Sequence, residues 1–360
     1  MNPLQTRRLG NTAADLPILG FGGAPLGELF EKVDEAQSAE TLDAAYSLGI
    51  RYYDTAPWYG HGLSEHRTGG LLRCHPKKEF ILSTKVGRVY KAYSGDPEDY
   101  SGPPWVGGLP FSLKFDYSAE GFQRSYEDST LRLGLNRIDL LVIHDLDQGY
   151  HGDSVPEKLR QLESGIQLLQ EMRRNGSILG FGAGVNDLEM MPLMLEHFEM
   201  DFFLVAMPYT LLNQEPLENI FPECQKRGMG IILGAPYASG ILATGASSGA
   251  RYGYAPVEES VLNRVKAIEK VCSEHKIPLK AAALQFPLGH PLVASVIPGA
   301  MHPDQIRDNL AMMKHPIPDS FWRDLKNEGM LHPEHRFNRM IELDKTLSLI
   351  PVEGVGIANS

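Results

Sequence analysis

Four polar side chains with complementary proton chemistry stand at or just beyond the ends of apolar runs. Asp54 closes IRYYD (50–54), Lys85 lies near the end of FILSTKV (80–86) and His144 near the end of IDLLVIHD (138–145). Tyr59 follows Asp54 by five residues in YYDTAPWYG (52–60). A tyrosine hydroxyl ordinarily titrates near ~10, too high for proton abstraction at neutral pH, but a buried ammonium beside it favours the phenolate. Lys85 can supply that charge, and Asp54 can keep the ammonium protonated and aimed. His144 can donate or accept toward the same oxygen. Singly, each has a plainer reading: Asp54 as a turn former, Lys85 as a solvated edge charge, His144 as a rim histidine, Tyr59 as a loop aromatic. As a set they describe a general acid/base site with tyrosine as the proton carrier.

Such a set needs elements that converge. Eight short apolar runs of strand length occur: 18–23, 50–54, 80–86, 138–145, 177–185, 201–207, 229–235 and 292–299. Segments of helical period follow them, several ending in a glycine suited to a left-handed cap, at Gly49, Gly134, Gly176 and Gly228. Strands alternating with amphipathic helices require parallel pairing, and eight units predict an α/β fold, a closed (β/α)8 TIM barrel. The glycines of LGFGGAPLG are not followed promptly by a helix, which argues against an open dinucleotide-binding sheet. In a barrel the C-terminal strand ends share one mouth, so Asp54, Lys85, His144 and Asn186 are expected together there. Two long connections, 87–117 and 236–257, emerge at that same end. Residues 1–335 read as the barrel domain and 336–360 as an appended C-terminal tail.

The chain has 360 residues, 42% of them hydrophobic, enough for a large core. Its 34 basic and 45 acidic residues leave a net charge of -11, which disfavours nucleic acid and anionic membranes and points to a small-molecule substrate. Cys74, Cys224 and Cys272 are far apart and form no CxxC, so neither a disulfide framework nor a structural zinc is expected. Without a signal-like N-terminus or a membrane-length apolar run, a cytoplasmic location is expected. HDLDQGYHGD (144–153) carries two histidines and three aspartates, and a polar loop explains it better than a metal site. Oligomeric state is not legible.

The stretches GIRYYDTAPWYGHGLSEHRTGGLL, ILSTKVG, RSYEDSTLRLGLNRIDLLVIHD, LGFGAGVND, GIILGAPYASGILATG and SVIPGAMHPDQIRDN together resemble the aldo-keto reductase superfamily over nearly the whole chain. By that resemblance Asp54, Tyr59, Lys85 and His144 occupy the catalytic positions, and a nicotinamide cofactor binds across the mouth without metal. Asn186 matches the residue that holds the carboxamide, although its usual serine neighbour is Val185 here. The place of a ring-stacking aromatic falls on Gly234. GAPYASG, with Ala235, Tyr237, Ser239 and Gly240, matches the pyrophosphate loop. Where relatives that prefer NADP clamp its 2'-phosphate with Lys and Arg, this chain has Gly299 and Gln305, while Asn309 is retained; NAD is therefore expected, with NADP possible through Arg307 or His302.

The long 87–117 connection, with Tyr90, Tyr93, Tyr100, Trp105, Phe111 and Phe115, is placed to overhang the mouth together with Trp58. Trp58 and Trp105 are the expected substrate-binding residues. The pattern is most similar to bacterial NAD-dependent aldose dehydrogenases of the L-fucose or D-threo-aldose type, which implies oxidation of a sugar at C1 to a lactone. Pyridoxal 4-dehydrogenase chemistry, reduction of an aldehyde or ketone, and a cofactor-holding regulatory subunit are the alternatives.

Overall fold

The structure is a computed structural model that describes residues 1–247, 250–253 and 255–335. The tail expected at 336–360 lies outside the described residues. Eight parallel strands run in chain order around one sheet: β1 (Phe21–Gly22), β2 (Tyr52–Asp54), β3 (Ile81–Val86), β4 (Leu140–His144), β5 (Gly180–Val185), β6 (Phe202–Ala206), β7 (Gly230–Gly234) and β8 (Val293–Ile297). Parallel bridges Leu19↔Val296 and Gly22↔Gly299 join the first strand to the last, so the sheet closes and leaves no open edge. Each expected strand is present but shorter, because the outer residues of each run turn into the loops.

The helices that follow the strands are α1 (Glu35–Ser47), α2 (Leu63–Leu72), α3 (Ala119–Leu133), α4 (Val155–Arg174), α5 (Met190–His197), α6 (Ile220–Lys226), α7 (Glu259–His275) and α8 (Pro303–Lys314). Local chemistry sets several ends. Asp34 caps α1 by accepting from Gln37 N at 2.8 Å, and Ser118 caps α3 by accepting from Gly121 N at 3.1 Å. Gly49, Gly134, Gly176 and Gly228 all take positive φ (98, 64, 79 and 68°), as the left-handed caps require.

Strand parity decides which side chains point inward. Tyr52, Leu140, Val142, Phe202, Leu204, Ile232 and Ala294 fill the barrel interior, while Tyr53, Leu82, Leu141, Ile143 and Phe203 belong to the larger core between strands and helices. Leu9, Ala14 and Leu16 join the interior cluster. They come from a hairpin pairing Thr6–Arg8 with Asp15–Pro17, which stops the end of the barrel opposite the mouth. The same parity leaves Asp54, Lys85 and His144 inward, one step above that apolar filling.

The 87–117 connection is more ordered than a plain loop. Arg88–Ala92 pairs antiparallel with Phe111–Phe115 in register Arg88↔Phe115. Period-2 patterning is weak there because both faces of the ribbon carry aromatic or charged residues. Gly87 makes the turn into it at φ 109°, and a Cβ there would meet the Tyr117 ring at 2.7 Å, so no other residue fits. Among the described residues no helix is long and apolar enough to cross a membrane.

Candidate active site

Asp54 and Lys85 form the buried floor of the mouth, 2% and 1% exposed. Lys85 Nζ donates to both Asp54 oxygens, at 2.6 and 2.7 Å, and to the Thr55 carbonyl at 2.9 Å. Ser83, two residues before Lys85 on the same face of β3, donates to Asp54 Oδ1 at 2.6 Å. An ammonium with three acceptors is compensated for its burial, and its direction is fixed. Lys85 Nζ lies 5.2 Å from the centroid of the Tyr59 ring. The Tyr59 ring meets His144 edge-on at 5.9 Å and an 82° interplanar angle. All four residues expected to act together are therefore adjacent.

His144 is buried, and its Nδ1 has no hydrogen-bond partner among the described residues. Burial first, then the Arg88 and Lys85 charges, push the imidazole well below its usual 6.5. It is neutral at physiological pH and offers one N–H donor and one acceptor. The Tyr117 hydroxyl donates to the His144 and Asp145 carbonyls at 2.9 and 3.0 Å, which fixes the end of β4.

Above this floor is a cavity of about 260 Å³ whose wall includes Trp58, Tyr59, Lys85, Trp105, His144 and Asn186. Trp105 packs edge-on to Trp58 at 5.8 Å and tilted to Tyr59 at 5.7 Å. Of the seven aromatics in the 87–117 stretch, Trp105 alone lines this cavity. The others brace the cover: Tyr90 donates to the Pro57 carbonyl at 2.5 Å and packs on Phe111, and Tyr93 packs edge-on to Tyr100.

Ala235, Tyr237, Ser239, Gly240, Gly299, Gln305 and Asn309 do not line this cavity. Ala235, Tyr237, Ser239 and Gly240 follow β7, Gly299 follows β8, and Gln305 and Asn309 lie in α8, at the same end of the barrel. Ala235, Ala238, Ser239 and Gly240 all take positive φ (48, 49, 62 and 105°). Left-handed backbone at non-glycine residues is strained, and it folds the loop on itself: the Ala238 and Gly240 amides donate to the Ala235 and Tyr237 carbonyls, each at 2.9 Å. Tyr237, held protonated by burial, donates to Asn309 Oδ1 at 2.7 Å. Asn309 Nδ2 makes no hydrogen bond within the described residues and is left to donate elsewhere. Ser239 donates to Met207 Sδ at 3.7 Å. These residues form a candidate surface for a dinucleotide, with the Asn309 amide as a side-chain donor.

Gly299 and Gln305 have structural duties at the end where a 2'-phosphate clamp would sit. A Cβ on Gly299 would come within 2.6 Å of Pro25, and Gln305 Oε1 accepts from Met301 N at 2.8 Å in the capping box that starts α8. Arg307 donates to Asp304 at 2.7 Å, and His302 sits against Gln37 at 3.3 Å.

One wall residue, Asp145, and the Arg88 behind it escaped the sequence reading as a pair. Arg88, the first residue of the ribbon, and Asp145, the residue after His144, form a buried ion pair at 2.5 Å. An arginine directly behind TKVG, facing a loop rich in aromatics, was the available signal. Asp145 was legible only as part of a polar loop.

A closed (β/α)8 barrel with a lysine-supported tyrosine at its mouth defines a class of redox enzyme, and the chain belongs to the aldo/keto reductase family, whose model matches residues 18–327. It is an NAD(P)-dependent oxidoreductase. It is 38% identical to pyridoxal 4-dehydrogenase of Microbacterium luteolum, across 91% of this chain and 98% of that protein. It is 34% identical to D-threo-aldose 1-dehydrogenase of Pseudomonas sp., across 88% and 95% respectively. In fold it matches an aldo-keto reductase from Bacillus halodurans in its holo form, with a TM-score of 0.68 at 23% identity over 92% of this chain and 99% of that one.

Proposed function

We propose that this protein is an NAD-linked dehydrogenase that oxidises the anomeric carbon of an aldose, with Tyr59 as general base and Asp54, Lys85 and His144 as its supporting set. The observation that carries this reading is the Lys85 ammonium, locked onto Asp54 and set 5.2 Å from the Tyr59 ring at the floor of the cavity. A fixed positive charge in a water-poor site stabilises phenolate over phenol, because low dielectric magnifies its field. The pair is set in place before substrate arrives, so little reorganisation accompanies proton transfer.

When bound, the oxidised nicotinamide supplies the hydride acceptor. Asn186, the 235–240 loop and Asn309 would hold the cofactor. On the protein side, Tyr59 takes the proton of the substrate hydroxyl as the C1–H bond breaks and C1=O forms, which turns a cyclic hemiacetal into a lactone. Neutral His144 orients the same oxygen through its single N–H. Trp58 and Trp105 exclude water and offer flat faces to the C–H face of the sugar. Running the steps backward, protonated Tyr59 donates to the oxygen of an aldehyde or ketone.

The preference for NAD rests on the absence of paired cations at 299 and 305, on the crowding of Gly299 by Pro25 and on the engagement of Gln305 in its helix cap. A second reading, oxidation of an aromatic aldehyde or hemiacetal of the pyridoxal kind, is favoured by the aromatic wall and by the 38% identical relative. A screen of aldoses, pyridoxal and simple aldehydes with NAD and with NADP, followed by absorbance of the reduced cofactor, tests both. Turnover confined to pyridoxal would replace the aldose reading, and no turnover with any of them would remove both.

A further inference from the structure

The proton chemistry above makes no use of the charged pair formed by Asp145 of the pocket wall and Arg88 behind it. Arg88 Nη2 donates to Asp145 Oδ2 at 2.5 Å, with both side chains about as buried as the catalytic floor, 4% and 5% exposed. Three rings enclose the guanidinium: Trp58 at 4.2 Å, Phe115 at 4.4 Å and Tyr150 at 4.8 Å. So confined, the arginine cannot swing away, and its Nε is buried with no partner among the described residues. Asp145 is fixed too. Its backbone is left-handed, at φ 52°, and its carbonyl accepts from the Tyr117 hydroxyl.

What this clamp presents to the cavity is Asp145 Oδ1. Asp145 lines the same 260 Å³ space as Tyr59 and His144, and no hydrogen bond from the described residues reaches Oδ1. The nearest charged-type contact is His144 Nε2 at 3.5 Å, too long for a good hydrogen bond. Desolvating two charges is costly, and a buried ion pair is a poor source of stability. One that aims a spare acceptor into the substrate cavity has a use in recognition. Burial raises the Asp145 carboxyl to about 6 while Arg88 opposes the rise, so near pH 7.5 the group is an anion that accepts and does not donate.

We propose that Asp145 is a specificity-determining residue that accepts a hydrogen bond from a hydroxyl on the carbon next to the reacting one, with Arg88 as its positioning residue. The inference rests on the reading of Tyr59 and His144 as the groups that flank the reacting oxygen. An acceptor 3.5 Å from the imidazole can share a substrate with it only if the two substrate oxygens are neighbours. That describes 2-hydroxy aldehydes and the C1–C2 diol of a cyclic aldose. A carboxylate selects a donor, so a hydroxyl is favoured over hydrogen at that carbon.

The test compares kcat/KM for matched pairs, ribose against 2-deoxyribose with oxidised cofactor and glycolaldehyde against acetaldehyde with reduced cofactor, in wild type, Asp145→Asn and the double variant Arg88→Met/Asp145→Leu. The double variant replaces the pair by apolar groups of similar size and so avoids leaving one buried charge alone. Wild type is expected to favour the hydroxylated member of each pair about ten-fold or more, since a site built to bind a hydroxyl penalises its absence. The double variant is expected to bring each ratio below about three-fold. Asp145→Asn, which keeps an acceptor oxygen, is expected to retain part of the preference. Equal use of both members by wild type, or an unchanged ratio in the folded double variant, overturns the role of Asp145 and leaves the Tyr59 chemistry standing. Failure of folded wild type to turn over any pair with either cofactor removes the proposed function and this inference with it.

Discussion

The mouth has two sectors that solve their problems differently. Over β2 to β4 the work falls to side chains: Asp54, Ser83, Lys85 and His144 are buried, inward-facing and tied to one another at 2.6 to 2.7 Å or packed against Tyr59. Over β7 and β8 it falls largely to backbone. There a run of left-handed residues, a capped helix start and a crowded glycine shape the surface, and few side chains are committed to it. Proton transfer needs particular atoms with tuned acidity, so residue identity is exacting in the first sector. Holding a polyanion needs N–H groups pointing one way, which many sequences can supply, so identity is looser in the second. The departures from the family pattern, at Val185, Gly234, Gly299 and Gln305, all fall at the end of β5 or in the second sector.

The sharpest way to break this contrast is Tyr59→Phe. Loss of the proton carrier is expected to lower kcat by about 10³-fold or more while NAD affinity, read by fluorescence titration, stays within a few-fold. Comparable turnover in that variant would falsify the side-chain account of the first sector. Next in size is Lys85→Met, which leaves Asp54 buried and uncompensated. A loss of about 3–5 kcal/mol in urea unfolding is expected, along with a fall in kcat. If stability were unaltered, Asp54 would not be depending on the ammonium.

His144→Asn separates stability from chemistry through pH. The folded imidazole titrates well below its unfolded 6.5, so as pH falls through that window the unfolded chain binds a proton that the native state does not. Native stability from this group is present above 6.5 and drains away in acid, by up to about 1.4 kcal/mol per pH unit. The stability difference between wild type and His144→Asn is therefore expected to shift against wild type between pH 7.5 and 5.5. A constant difference would mean that the imidazole is not held neutral. The smallest effect is expected from Tyr237→Phe in the second sector. Losing one hydrogen bond to Asn309 costs about 1 kcal/mol, or roughly a five-fold rise in the KM for NAD with kcat little changed. A collapse of kcat there would mean that the second sector also does chemistry.

Much of the first sector was readable before any coordinates. Tyr52 and Asp54, Ser83 and Lys85, and Val142 and His144 are spaced by two, so strand parity alone puts the polar member of each pair on the face of its apolar or hydroxyl neighbour. The long stretch after Gly87 was readable only as aromatic-rich. Its antiparallel ribbon and the use of Arg88 depend on residues 19 to 57 positions away. The N-terminal hairpin that stops the far end of the barrel was also missed. Its strands are three residues each, too short to display a period.

By itself the amino-acid order determined the alternation of strand and helix, the inward parity of the candidate catalytic residues and the glycine caps, because these depend on backbone geometry over a few residues. Only the tertiary structure decided that Lys85 is held by both Asp54 oxygens, that His144 is stripped of water and lies near two cations, and that Arg88 clamps Asp145 beside it. Those are properties of distance and dielectric between segments remote along the chain, and no local pattern encodes them.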